Sequence, residues 1–163
     1  MMIEFVTGDI LKSKAEAIGH GIAPNDHFNQ GLALSLREQW PSLYKDFRHY
    51  CHTQKASEGE LWAWKGAGGP TIFNLFTQQA AESEDSRPGR ASESNVNATL
   101  KNLAKEIKKS NVKSLALPKL ATGVGGLSWD VVKPLILKHF EGSDVKLYIY
   151  EKYQKDLQAT EKI

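Results

Sequence analysis

Short apolar stretches recur along this chain, separated by longer ones in which apolar positions return every three or four residues. Met2 to Thr7, Ala15 to Gly19, Leu61 to Lys65, Thr71 to Thr77, Val112 to Leu117 and Val145 to Tyr150 have the first pattern and predict six strands. Ile72-Phe73-Asn74-Leu75-Phe76 and Leu115-Ala116-Leu117 are apolar nearly throughout. That suits strands covered on both faces, as in a parallel sheet. The helical pattern appears three times. From about Gly31 to His52, Leu36, Trp40, Leu43, Tyr44, Phe47, Tyr50 and Cys51 share one face, and Pro41 is expected to split the region into two helices. Asn95 to Lys108 turns Val96, Leu100, Leu103, Ala104 and Ile107 inward. A third helix starts near Ser128, a suitable N-cap, and buries Val131, Val132, Leu135, Ile136 and Phe140. Strands alternating with helices predict an α/β fold, a three-layer α/β/α sandwich around a mostly parallel six-stranded sheet. Residues 1–153 form the expected domain. Residues 154–163 are a polar C-terminal tail, read as a short surface helix or a disordered end. Gln78 to Ser94 lacks periodicity and reads as a mobile surface loop, its acidic run Glu82-Ser83-Glu84-Asp85 solvating it.

Composition narrows the function. The length of 163 residues suits one compact domain. No apolar run is long enough to span a membrane, and Ile3-Glu4-Phe5-Val6 is too short for a signal peptide, so no membrane partner is expected and the cytosol is the expected compartment. The single cysteine, Cys51, lies on an apolar helical stripe and reads as core. No Cys or His cluster has zinc-ligand spacing, so neither metal nor cofactor is expected. A formal charge of +2 does not argue for nucleic acid. Lys105, Lys108, Lys109 and Lys113 form a basic patch that reads more readily as a solvated helix face. Ser35 lacks the turn that exposes a nucleophilic serine.

Four segments at the carboxyl ends of strands carry candidate chemistry. Gly8-Asp9-Ile10 offers a carboxylate and an N–H to a purine edge, although alone it reads more readily as a turn. His20-Gly21 puts an imidazole at the end of the second strand, equally suited to facing a ligand or to structure. Asn29-Gln30-Gly31-Leu32 opens a helix, either as an anion site or simply as a start capped by Asn29. The strongest feature is Thr122-Gly123-Val124-Gly125-Gly126, a glycine loop between strand and helix that lets backbone N–H groups approach a pyrophosphate; a tight connection without ligand is the alternative. It matches neither familiar phosphate-loop spacing. Open α/β sheets bind ligands at the carboxyl ends of their strands, where all of these segments fall.

The ordered set Val6-Thr7-Gly8-Asp9-Ile10-Leu11, Ile18-Gly19-His20-Gly21, Gln30-Gly31-Leu32-Ala33 and Leu117-Pro118-Lys119-Leu120-Ala121-Thr122-Gly123-Val124-Gly125-Gly126-Leu127-Ser128-Trp129 resembles the macro domain family, as does Leu147-Tyr148-Ile149-Tyr150. The likeness covers Met1 to Tyr153 and is greatest to the branch holding terminal ADP-ribose protein glycohydrolase, DNA de-ADP-ribosylating antitoxins and a small ADP-ribose 1''-phosphate phosphatase. It implies a cleft for ADP-ribose or an ADP-ribosylated macromolecule. Asp9 and Ile10, beside Gly8, would hold adenine; Gln30, Gly31 and Leu32 with Thr122, Gly123, Val124, Gly125 and Gly126 would wrap the pyrophosphate and distal ribose, near His20 and Gly21. His20 matches a histidine implicated in the phosphatase subgroup and is the candidate catalytic acid or base. The branch's catalytic lysine is replaced by Gln78 and Gln79, and its glycine-loop aspartate by Gly125. By the family resemblance, removal of ADP-ribose from a modified macromolecule is the leading expectation, while the missing lysine and aspartate favour a reader. The alternatives are 1''-phosphate hydrolysis, a non-catalytic ADP-ribose reader, and action on nucleic acid.

Overall fold

The computed structural model describes every residue except 1, 84, 85 and 87. Its strands are β1 (Ile3–Gly8), β2 (Ala17–Ile22), β3 (Leu61–Lys65), β4 (Thr71–Phe76), β5 (Ser114–Pro118) and β6 (Lys146–Tyr153). Its helices are α1 (Gly31–Gln39), α2 (Pro41–Thr53), α3 (Glu93–Lys109) and α4 (Trp129–Phe140), with a 3-10 turn at Ile10–Lys12. The six strands form one sheet in the order β1-β6-β5-β2-β4-β3. Every neighbouring pair is parallel except β3 and β4. The exception follows from the short connection, residues 66–70, because a parallel return needs a dozen residues or more.

Side-chain alternation along the central strands builds two cores. Phe73, Leu75, Leu115, Leu117, Leu147 and Ile149 point to one face and pack on Val96, Leu100, Leu103, Val132 and Ile136 of α3 and α4. Ile18, Ile72, Phe76, Ala116 and Tyr148 point to the other and pack on Leu36, Leu43 and Phe47 of α1 and α2. Each fully buried Leu or Phe contributes roughly 1.5–3 kcal/mol by leaving water. Pro41 takes the first position of α2, where its missing N–H costs no helical bond, and Trp40 leaves helical geometry to separate α1 from α2. Ser128 caps α4 as the sequence suggests, accepting from the Asp130 N–H. No helix among the described residues is long and apolar enough to cross a membrane.

Two segments differ from expectation. Residues 154–163 form no helix; they dock as an extended strap over the end of β1. Gln154 N–H donates to Gly8 O at 3.1 Å, and Asp9 N–H donates to Leu157 O at 2.7 Å. Ala159 is buried, and Glu161 accepts from Ser13 Oγ, the Lys14 N–H and Tyr150 OH. A side chain at Gly8 would stand 2.9 Å from Leu157 O, so the close approach requires glycine there. The segment after β4 is also anchored. Gln78 pairs with Ala91, and the Ala91 N–H donates to Gly125 O at 3.0 Å, bracing the glycine loop. The acidic run assigned to solvent falls partly on Glu84 and Asp85, outside the described residues.

Candidate functional site

Because β1, β2, β5 and β6 are mutually parallel through the sheet, their carboxyl ends open on one side, and a cleft lies there. It consists of two hollows. One, of about 410 Å³, is lined by Gly8, Asp9 and Ile10 with Tyr150 and Tyr153. The other, of about 240 Å³, is lined by His20, Gly21, Asp26 and Gln30 on one wall and by Lys119, Gly123, Val124 and Gly125 on the other. Gly31, Leu32 and Pro118 line both and join them. The four sequence segments thus meet in one groove. Thr122 and Gly126 are the exceptions. Thr122 Oγ1 turns back to Lys119 O at 2.8 Å, and Gly126 closes the turn by donating to Gly123 O at 3.1 Å.

At one end Asp9 is held by backbone donors. Its Oδ1 accepts from the Leu11 N–H and its Oδ2 from the Asp156 N–H, each at 3.0 Å. These bonds fix the carboxylate's orientation and leave second lone pairs on its oxygens. The strap thus helps to hold Asp9 in place at this end of the cleft.

In the middle, two loops face each other. Gln30, not Asn29, is the cap of α1, and it makes no side-chain bond to the helix. The first-turn N–H groups are therefore uncapped where Gly31 and Leu32 line the cleft, which suits an anion. Gly31 has φ +62°, a conformation that favours glycine, and a side chain there would meet nothing within 4 Å. Opposite, Gly123 also faces open space. Gly125 does not: a Cβ there would lie 2.6 Å from Ala121 O, so an aspartate cannot enter this loop without moving backbone.

At the far end the chemistry departs from the sequence reading. His20 is buried, its Nε2 2.7 Å from Asn74 Oδ1 and its ring edge-on to Phe28. Asn74 donates through Nδ2 to Trp62 O and Ile72 O, which orients its oxygen toward the imidazole, so Nε2 carries the proton. Burial lowers the His20 pKa to about 4, overcoming the Asn74 bond and the Asp26 charge. His20 is thus neutral at pH 7, and the role of a titrating acid suggested by its sequence position does not fit the buried ring. Gln78, where the related branch has a lysine, is buried and donates through Nε2 to Gly89 O. It pins the loop.

Among the described residues, the charged ones that line this hollow are Asp26 and Lys119. Sequence reasoning selected neither. Asp26 accepts from the Phe28 N–H at 2.8 Å, an Asx-type turn that shapes the approach to α1. Among the described residues no group of three or more His, Cys, Asp or Glu could hold a metal ion. Cys51 is only partly buried, against the α1–α2 core, and burial pushes its thiol up, keeping it protonated.

The family profile described as "Macro domain" matches residues 30–136. A protein of Thermus aquaticus named DNA ADP-ribosyl glycohydrolase is 29% identical over 156 residues, covering 92% of this chain and 41% of its own length. Human ADP-ribose glycohydrolase OARD1 is 24% identical, with coverage of 91% of this chain and 90% of that protein. Among solved structures, the macrodomain of Thermus aquaticus DarG superposes with a TM-score of 0.79 at 27% identity, covering 92% of this chain and 98% of the other. This chain spans less than half the length of the bacterial glycohydrolase.

Proposed function

The chain belongs to the macro domain family, and on that footing we propose that its cleft binds ADP-ribose and hydrolyses the bond joining the distal ribose to a modified macromolecule. Adenine lies at Asp9 and Ile10, between Gly8 and Tyr153. The pyrophosphate lies between the α1 N-terminus at Gln30, Gly31 and Leu32 and the loop Gly123-Val124-Gly125. The distal ribose reaches His20, Gly21 and Asp26. The observation that carries this reading is the facing pair of open glycines, Gly31 and Gly123, beside an uncapped helix start. A bulky diphosphate fits there and backbone donors meet it. The names of the Thermus and human relatives support the reaction class.

Hydrolysis needs a group that takes a proton from water. Among the described lining residues of the distal hollow, Asp26 is the only carboxylate. Water attacks the anomeric carbon, Asp26 takes its proton, and the bond to the macromolecule breaks with its electron pair leaving on the departing atom, which is protonated from solvent. Neutral His20 serves as a fixed wall and hydrogen-bond acceptor through Nδ1. Asp26→Asn is expected to lower turnover about 100- to 10,000-fold and leave ADP-ribose affinity within a few fold. Unchanged turnover removes Asp26 from this role.

A second reading, a reader that binds without turnover, is favoured by Gln78 and by the crowding at Gly125, which exclude the related branch's lysine and aspartate. A turnover panel of ADP-ribosylated oligonucleotide, ADP-ribosylated protein and ADP-ribose 1''-phosphate separates these readings and identifies a phosphatase if only the last is consumed. The cytosol remains the proposed compartment.

A further inference from the structure

We propose that Glu161 is a positioning residue for adenine recognition: it latches the strap of residues 154–163 to both walls of the Asp9 hollow, and the latched strap aims the Asp9 carboxylate at the exocyclic amine. This rests on the reading of the cleft given above and adds a residue that does not line it. The two walls have different origins. Gly8, Asp9, Ile10 and Leu11 come from the end of β1 and the 3-10 turn after it, whereas Tyr150 and Tyr153 come from β6. Among the described residues none beyond Tyr153 lines the hollow. The strap therefore acts on adenine only through the groups it holds.

Those groups lie on both walls. Glu161 Oε2 accepts from Tyr150 OH at 2.7 Å and from Ser13 Oγ at 2.6 Å, and its Oε1 accepts from the Lys14 N–H at 3.0 Å. Ser13 closes the turn that carries Ile10 and Leu11, because its N–H donates to Ile10 O at 3.1 Å. One carboxylate thus ties the turn to the facing strand. Burial pushes the Tyr150 hydroxyl well above its ordinary range, so it stays protonated and donates. Among the described residues Glu161 is the only strap side chain bonded to the rest of the domain. Residues 154–158 are exposed and are held to the domain through main-chain N–H and C=O groups, which marks them as a stretch that opens easily without its anchor. Within that stretch the Asp156 N–H reaches Asp9 Oδ2 at 3.0 Å. The Leu11 N–H holds only Oδ1, and a carboxylate turns about its terminal bond in a broad two-fold well. The strap's bond to Oδ2 fixes that rotation and directs the remaining lone pairs. A buried acceptor held in this way rejects a purine that lacks the amine, because it is then left unpaired.

The test measures by calorimetry the affinity of the parent, Glu161→Ala and Glu161→Gln for ADP-ribose and for its purine analogue, in which hydrogen replaces the exocyclic amine. The parent is expected to favour ADP-ribose by about 10- to 150-fold, the effect of one hydrogen bond to a charged group. Glu161→Ala lowers that ratio about fivefold or more, because groups in one hydrogen-bond network are coupled. Glu161→Gln keeps an oxygen for Tyr150 and Ser13, loses only the Lys14 bond, and holds the ratio within about twofold of the parent. A Glu161→Ala protein that loses affinity for both ligands alike, with the ratio unchanged, makes Glu161 merely structural and overturns the proposal. Hydrogen exchange of the parent reads the same coupling without a substitution. Saturating ADP-ribose slows the Asp156 amide about fivefold or more relative to the saturating analogue, because linkage is reciprocal. Equal protection by the two ligands also overturns the proposal. Absence of ADP-ribose binding refutes the reading of the cleft and the proposal with it, whereas selective binding that does not depend on Glu161 refutes only this inference.

Discussion

Replacing Asp9 with alanine tests the adenine end of the cleft and the strap together. The buried carboxylate accepts the Leu11 and Asp156 N–H groups at 3.0 Å each. A hydrogen bond to a charged group contributes about 1.5–3 kcal/mol, and an orphaned donor costs up to a similar amount. The adjoining hollow of about 410 Å³ admits water that recovers part of this loss. The expected destabilisation of Asp9→Ala is about 2–4 kcal/mol. For a domain of this size that lowers Tm by roughly 6–12 °C. The same substitution removes the acceptor proposed for the adenine amine, so ADP-ribose affinity falls by a further 1.5–3 kcal/mol, about 10- to 150-fold. Urea unfolding reads the first effect. Calorimetry at a temperature where the variant is folded reads the second. Asp9→Asn keeps one acceptor and should lose about half as much stability. An Asp9→Ala protein within about 0.5 kcal/mol of the parent, the range of an ordinary surface change, refutes the reasoning.

Gly123→Glu should abolish ADP-ribose binding while leaving the fold intact by circular dichroism, because the side chain enters open cleft space and brings a negative charge to the pyrophosphate site; retained micromolar affinity contradicts this. Gly125→Asp should not restore the related branch's chemistry, since its Cβ meets Ala121 O; a loss of at least about 1–3 kcal/mol is expected from overpacking, and a variant with parental stability and raised turnover contradicts it. His20 has a folded pKa of about 4 against an unfolded 6.5, so its stabilising contribution is full above pH 6.5 and is lost as pH falls toward 4. Between pH 7 and pH 5 the parent should lose about 2 kcal/mol more than His20→Gln, measured by urea midpoints; equal losses place the ring in a more solvated site.

The layers of the fold were legible in side-chain period. Leu115-Ala116-Leu117 reads as a doubly covered strand, and its leucines and alanine do face different cores. Pro41 marked the helix break because its ring constrains the backbone locally. The four segments that line the cleft were legible for the same reason: glycines and helix starts act through local backbone geometry. What escaped depends on contacts distant in sequence. The strap docks on Asp9 through backbone atoms, and a carbonyl at Leu157 has no side-chain signature. His20 read as a titrating imidazole on the cleft wall until Asn74 and Phe28 enclosed it. Asp26 sat in plain view in Asn25-Asp26-His27, but only folding brings it beside the distal hollow. The anchoring of Gln78 to Gly89 likewise joins residues whose spacing carries no periodic signal.

The most direct test of the account is calorimetric titration of the intact chain with ADP-ribose. One saturable site per chain with micromolar affinity is predicted, because one continuous cleft joins Asp9 to Asp26. No saturable heat up to millimolar ADP-ribose, with the protein folded by circular dichroism, contradicts it.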